Sequence, residues 1–291
     1  MRLGLNLAAF GDRSLHQALL DAKALGVEAV EIPVHGGGPF FLSEEVEVEP
    51  IVAAVNAARA LDLDVSALDN HVDSHGLMAK GSEDSLAGRN FTRTMRAAGE
   101  AGVPLVTCFF GEAPGSHWFL WPHPEERTSA FRHLARIWKP YLKHANRLDV
   151  HLAHEPHPRQ SAFDLESCLR LEEALDGDPA FAINLDVGNL LLSHGDPLEF
   201  LRHLGGRVAH LHAKDFRPQR QEAKRDWSFA IAGSGVAEWT ALADAMLALN
   251  ADVVWSLEHE DPRFERTAGV ELGLRFLRAL QQEPATSEVW W

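Results

Sequence analysis

Glu155, Asp186, His212 and Glu258 stand at the ends of four successive apolar runs, in the strings LAHEPHP, NLDVGN, HLHAKD and SLEHED. Ionisable groups at the ends of buried strands are costly unless they are paired or bound to a metal. Three carboxylates and one imidazole make a hard, mainly oxygen donor set. Such a set suits Mg²⁺ or Mn²⁺, and the imidazole tilts the choice towards Mn²⁺, Co²⁺ or Fe²⁺; Zn²⁺ favours more nitrogen or sulfur. The expectation is one divalent cation, Mn²⁺ first, with Mg²⁺, Co²⁺, Fe²⁺ and Zn²⁺ as the other candidates. Four protein donors leave two octahedral positions, which two adjacent oxygens of a hydroxy-ketone would fill.

Side-chain alternation along a strand separates these residues from their neighbours. Glu155 shares a face with Ala153 and His151, so His154 points the other way, towards helices or loops. His259 likewise opposes Ser256 and Glu258. His210 lies on the face of His212 and is expected to meet a substrate hydroxyl or to support His212. His71, in ALDNHVD, is expected to line the substrate pocket, and His157, two residues beyond Glu155, to reach substrate or to cap the loop. Lys214 and Asp215 are expected to pair with each other or with nearby loops, outside the chemistry. Trp118 and Trp121, in SHWFLWPHP, read as lid walls or as packing against the fourth helix.

Positioning four strand ends at one place requires a particular architecture. Apolar runs suggest strands at 2–7, 27–32, 63–68, 103–109, 149–155, 181–186, 207–212 and 252–258. Between them apolar residues recur at helical spacing, as in 14–25 and 264–281. Ser14, Asp164 and Asp196 read as helix N-caps, the last followed by Pro197, and Gly26, Gly102 and Gly177 as helix exits. Eight strand–helix units without a break in composition favour a single (β/α)₈ barrel, which presents its site at the C-terminal strand ends. An open sheet would more often carry a Gly-rich phosphate loop after its first strand, where this chain reads NLAAFGD. The barrel is expected over 1–281, with a tail at 282–291.

Composition narrows the partners. A net charge of −15, with no basic block, opposes a nucleic-acid partner, because such binders concentrate positive charge. The two cysteines, Cys108 and Cys168, form no CxxC pair and fit a reducing cytoplasm. The N-terminus reads as too short and polar for a signal peptide, and no apolar run approaches the ~20 residues of a membrane span. The final Trp290 and Trp291 are expected to be covered, against the barrel or in a homo-oligomer, because large rings are seldom left exposed.

With these motifs in hand, the chain resembles the xylose isomerase-like TIM barrels, in particular the sugar phosphate isomerase/epimerase group. The matches are EPHP at 155–158, NLDVGN at 184–189, HLHAKD at 210–215 and SLEHED at 256–261. AGSGVAEW at 232–239 is similar to the loop before the seventh helix, and TCFFGEAPG at 107–115 to a fourth-strand loop. The resemblance implies that Glu155, Asp186, His212 and Glu258 bind one cation and that Glu155 and Glu258 form the acid/base pair. One departure is Asn189, where many relatives carry His; the position is expected near the substrate or behind the metal.

The expected reaction on a small sugar or polyol is isomerisation or epimerisation. It removes a proton next to a carbonyl, gives an enediolate stabilised by the cation, and returns the proton through a second carboxylate. The alternative is a dehydratase on the same scaffold, of the inosose or dehydroshikimate type, which shares the first step and then expels water. A DNA-cutting relative such as endonuclease IV needs a richer histidine set, which Cys108, Phe109, Phe110 and Asn189 do not supply.

Overall fold

The computed structural model describes residues 1–80, 84–112, 124–218, 227–249 and 252–282. Trp118, Trp121, Trp290 and Trp291, and all of the expected tail beyond Gln282, lie outside the described residues.

Among the described residues nine strands occur: β1 (Arg2–Asn6), β2 (Ala29–Pro33), β3 (Asp64–Asp69), β4 (Leu105–Cys108), β5 (His151–His154), β6 (Phe181–Asp186), β7 (Val208–Pro218), β8 (Trp227–Ile231) and β9 (Val254–Leu257). Eight of them, all but β8, pair in parallel in the order β1 to β7 and then β9, and β9 returns to β1. The sheet is therefore closed into a (β/α)₈ barrel. Both faces of each strand are covered, so β2, β4, β6 and β9 are buried along their whole length.

Among the described residues ten α-helices surround it: α1 (Leu15–Ala24), α2 (Val48–Arg59), α3 (His71–Lys80), α4 (Leu86–Ala101), α5 (Pro124–Leu148), α6 (Leu165–Ala174), α7 (Val187–Leu192), α8 (Pro197–Leu204), α9 (Trp239–Ala248) and α10 (Arg266–Gln282). Their ends follow the expected chemistry. Ser14 accepts from Gln17 N, Asp196 accepts from Leu198 N and Glu199 N, and Asp164 forms a reciprocal capping box with Ser167. Gly102 closes α4 at φ 64°, a left-handed conformation that costs a residue with a Cβ far more than glycine.

One element departs from the sequence reading. The seventh strand runs six residues beyond 212, to Pro218, and turns back as β8, antiparallel to it. The polar stretch FRPQRQEAKRD hides this hairpin, although WSFAI carries the alternation of a strand.

Register does the work of positioning. Asp186 is directly opposite His212, and His212 is opposite Ser256, two residues before Glu258 on the same face. On the other side, Cys108 is opposite His154, immediately before Glu155. The four strand ends therefore meet at one rim.

Candidate active site

His212 is the centre of the arrangement. Its Nδ1 lies 3.1 Å from Glu155 Oε2, 3.3 Å from Glu258 Oε2 and 3.7 Å from Asp186 Oδ2. Its Nε2, on the opposite edge of the ring, donates to Glu31 Oε2 at 2.8 Å. All but Glu258 are almost wholly buried; the Glu258 side chain is 20% exposed and faces the mouth.

Each carboxylate is held by further groups. Glu155 Oε1 accepts from Asn189 Nδ2 at 2.8 Å and Oε2 from Asn184 Nδ2 at 2.9 Å. His71 Nε2 stands 3.2 Å from the same Oε2, while its Nδ1 meets Asp69 at 2.5 Å. Asp186 caps α7 by accepting from Asn189 N at 2.8 Å. Its Oδ2 has Lys214 Nζ at 2.8 Å, in a geometry that makes no regular hydrogen bond.

The charge distribution follows from these contacts. Burial alone would raise the Glu155 pKa, but His71 and His212 outweigh it and hold the group well below the usual carboxylate range. Glu258 is likewise lowered against burial, by Lys214 and His212. Burial dominates at Asp186 and raises it to about 6 despite Lys214. His71 and His212 are raised because their carboxylate partners overcome burial. Glu31 is held at about 2, burial being offset by His212 and His210.

This donor set fits a divalent cation. One ligand atom each from Glu155, Asp186 and His212 lies within 4.8 Å of the others, and Glu258 Oε2 lies 3.3 Å from His212 Nδ1. The poorly satisfied Asp186 Oδ2 points the same way. A cation at His212 Nδ1 would take the place of the proton there and meet carboxylate oxygens on the same side, as hard cations require.

The remaining expected residues are distributed around this centre. His71 and Asn189 both contact Glu155. His157 sits at the rim against Phe109, with ring centroids 5.1 Å apart and its Nδ1 accepting from Arg159 N. His210 shares the Asn184 side chain with His212. It is fully buried below the rim, with Ser66 Oγ on Nε2 at 3.2 Å and Asn184 Oδ1 on Nδ1 at 3.0 Å. His154 points outward as alternation requires, between Ala162 O and Phe110 N.

Lys214 corrects the sequence reading. It shares the inward face of His212, and its buried Nζ lies 2.8 Å from Glu258 Oε2 and 2.9 Å from Glu260 Oε2. Asp215 faces the other way and gathers Phe216 N, Gly233 N, Gly235 N, Ala237 N and Trp239 Nε1. A Cβ on Gly235 would meet Asp215 Oδ1 at 2.2 Å, so that close approach requires glycine.

Three contributors were missed in the sequence. Glu31 and Asn184 sit on inward faces, and an acidic residue inside the apolar run VEAVEI was the available signal. Phe109 forms an aromatic wall, 4.3 Å from the His71 ring centroid.

The sequence profile of the xylose isomerase-like TIM barrels matches residues 19–280. The chain belongs to the xylose isomerase-like TIM barrel family. Several solved structures share its fold across nearly the whole chain. A probable 3-DHS dehydratase, AsbF from Bacillus anthracis, superposes with TM-score 0.73 at 14% identity, covering 96% of this chain and 99% of that one. A xylose isomerase domain protein from Planctomyces limnophilus gives 0.72 at 17% identity, covering 96% of each chain. A D-tagatose 3-epimerase-like protein gives 0.72 at 16% identity, over 97% of this chain and 99% of that one. In sequence, the uncharacterized protein YfiH of Bacillus subtilis (strain 168) is 27% identical over 159 residues, 48% of this chain and 50% of that protein. The chain thus spans about half the length of the curated relative it matches. This xylose isomerase-like barrel has, among its described residues, no helix long and apolar enough to cross a membrane.

Proposed function

We propose that the protein is a divalent-cation-dependent isomerase or epimerase of a sugar or sugar phosphate, moving a proton at the carbon next to a carbonyl. The observation that carries this reading is the approach of two ionised carboxylates, Glu155 and Glu258, to one ring nitrogen, His212 Nδ1, at 3.1 and 3.3 Å. They come from the ends of β5 and β9, with β6 and β7 between them, so they reach the site from different sides.

Glu155, Asp186, His212 and Glu258 would hold the cation, with Mn²⁺ the first choice for three oxygens and one nitrogen. When bound, the cation supplies positive charge that stabilises an enediolate forming on the substrate. Glu155 and Glu258 remove and return the proton, each having been kept ionised by its cationic neighbours. Asn184 and Asn189 fix both oxygens of Glu155, so the carboxylate is oriented before substrate arrives. His71, His157 and Phe109 form the wall that faces a small polyol.

Dehydration is the second reading. It shares the proton-abstraction step, and the buried Lys214 ammonium, 2.8 Å from both Asp186 and Glu258, adds a fixed positive charge beside the base that would favour departure of an oxygen leaving group. Two unpaired buried cysteines support a reducing, cytoplasmic setting, and the net charge of −15 opposes a nucleic-acid substrate. A homo-oligomer is part of the proposal.

The test is incubation of Mn²⁺-loaded protein with a panel of ketoses, ketose phosphates and inososes in D₂O, read by NMR and mass. New isomers, with or without deuterium, support isomerisation or epimerisation. Loss of water supports the second reading. Turnover of none of these substrate classes would refute both.

A further inference from the structure

Glu31 lies in the middle of β2, fully buried and remote from the mouth. Its carboxylate is fixed by three donors. Oε1 accepts from Thr107 Oγ1 at 2.7 Å, and Oε2 accepts from His212 Nε2 at 2.8 Å and Ser256 Oγ at 3.2 Å. Such a group has little freedom to turn.

The two edges of the His212 ring face different surroundings. Nδ1 meets Glu155, Glu258 and Asp186 at the rim, whereas Nε2 meets Glu31 below it. Imidazole nitrogens lie on opposite sides of the ring, so Glu31 stands behind the donor set. Glu31, His210 and His212 also cluster closely enough for a cation. His210, however, has both nitrogens engaged by Ser66 and Asn184, which closes that group with hydrogen bonds.

We infer that Glu31 is a positioning residue: by accepting the Nε2 proton it fixes His212 with its Nδ1 turned to the rim carboxylates, and so sets the affinity of the site for a divalent cation. The inference rests on the metal-site reading above. A carboxylate behind a ligating histidine fixes its tautomer and orientation and raises its basicity; losing such a partner typically weakens metal binding about 10–100-fold.

Titration calorimetry with Mn²⁺ on wild type and Glu31→Gln tests it, with the melting curve of each metal-free protein recorded beside it. Glu31→Gln keeps the size and an acceptor oxygen for Thr107. We expect one Mn²⁺ per wild-type chain and a dissociation constant about 10–100-fold higher in the folded variant. A purely structural role would lower the melting temperature and leave the dissociation constant unmoved, and that result overturns the inference. A second measurement needs no variant: ¹⁵N-histidine NMR of the ¹¹³Cd²⁺-loaded wild type. It should show the His212 proton on Nε2 and cadmium coupling at Nδ1; the reverse assignment refutes the inference even where Glu31→Gln fails to fold. If wild type takes up no Mn²⁺, the metal reading falls, and the role of Glu31 with it. Wild-type binding with an unchanged variant removes only the role of Glu31.

Discussion

Replacing Lys214 by Met probes the electrostatics of the rim directly. The Lys214 side chain is 3% exposed, and its ammonium lies 2.8 Å from both Asp186 and Glu258 and 2.9 Å from Glu260. Glu260 is half exposed, so water replaces that partner at little cost. Asp186 is fully buried and loses its nearest cation. Removing one member of a buried pair costs roughly 3–5 kcal/mol, because the other charge is left uncompensated. For a chain of this size that corresponds to a melting temperature lower by on the order of 10 °C.

The loss should depend on pH in a defined direction. Asp186 is raised to about 6, chiefly by burial, from an ordinary value of 3.8. Between those values the folded state binds more protons than the unfolded chain, so stability from this group is present at low pH and lost as pH rises through about 6. Without Lys214 the carboxylate is raised further, so the deficit of Lys214→Met should be largest at pH 8 and smaller at pH 5.5. Urea unfolding in EDTA at the two pH values measures it, and added Mn²⁺ should narrow the gap at pH 8. A variant as stable as wild type in EDTA at pH 8 would refute the reasoning.

Three further outcomes follow from the same contacts. Glu155→Gln and Glu258→Gln retain size but lose the base; each should reduce turnover at least about 10²-fold with the fold intact, and near-normal turnover would remove that residue from the acid/base pair. Asp215→Asn turns amide hydrogens towards at least two of the five donors that Asp215 now accepts, so thermal unfolding should show a loss of about 2 kcal/mol or more. Asp261 is lowered from 3.8 to about 2, its bonds from Arg263 and Ile231 outweighing burial. That contribution is present above about pH 4 and lost as pH falls towards 2. The stability gap between wild type and Asp261→Asn should therefore shrink between pH 5 and pH 3, and a constant gap would exclude this origin.

The barrel was legible because its parts signal locally. Apolar runs, caps such as Asp164 and Asp196, and exits such as Gly102 depend on neighbours a few residues away. That Glu155, Asp186, His212 and Glu258 lie together at the rim was legible because alternation and strand ends locate inward rim positions without knowledge of register. What escaped depends on contacts distant in sequence. Glu31 is 181 residues from His212, and the contact between them appears only when β2 closes against the barrel interior. Lys214 was misassigned because sequence offers Asp215 as its neighbour, whereas alternation turns the two side chains to opposite faces. His210 looked equivalent to His212, two residues on, yet that spacing moves it down the barrel to Ser66 and Asn184.

The central claim, a cation held by four strand ends, is tested most directly by anomalous diffraction from crystals soaked in Mn²⁺. The account requires one manganese peak within about 2.0–2.6 Å of oxygens from Glu155, Asp186 and Glu258 and of His212 Nδ1. A crystal with manganese elsewhere, or with none at this rim while the four side chains remain in place, would contradict it.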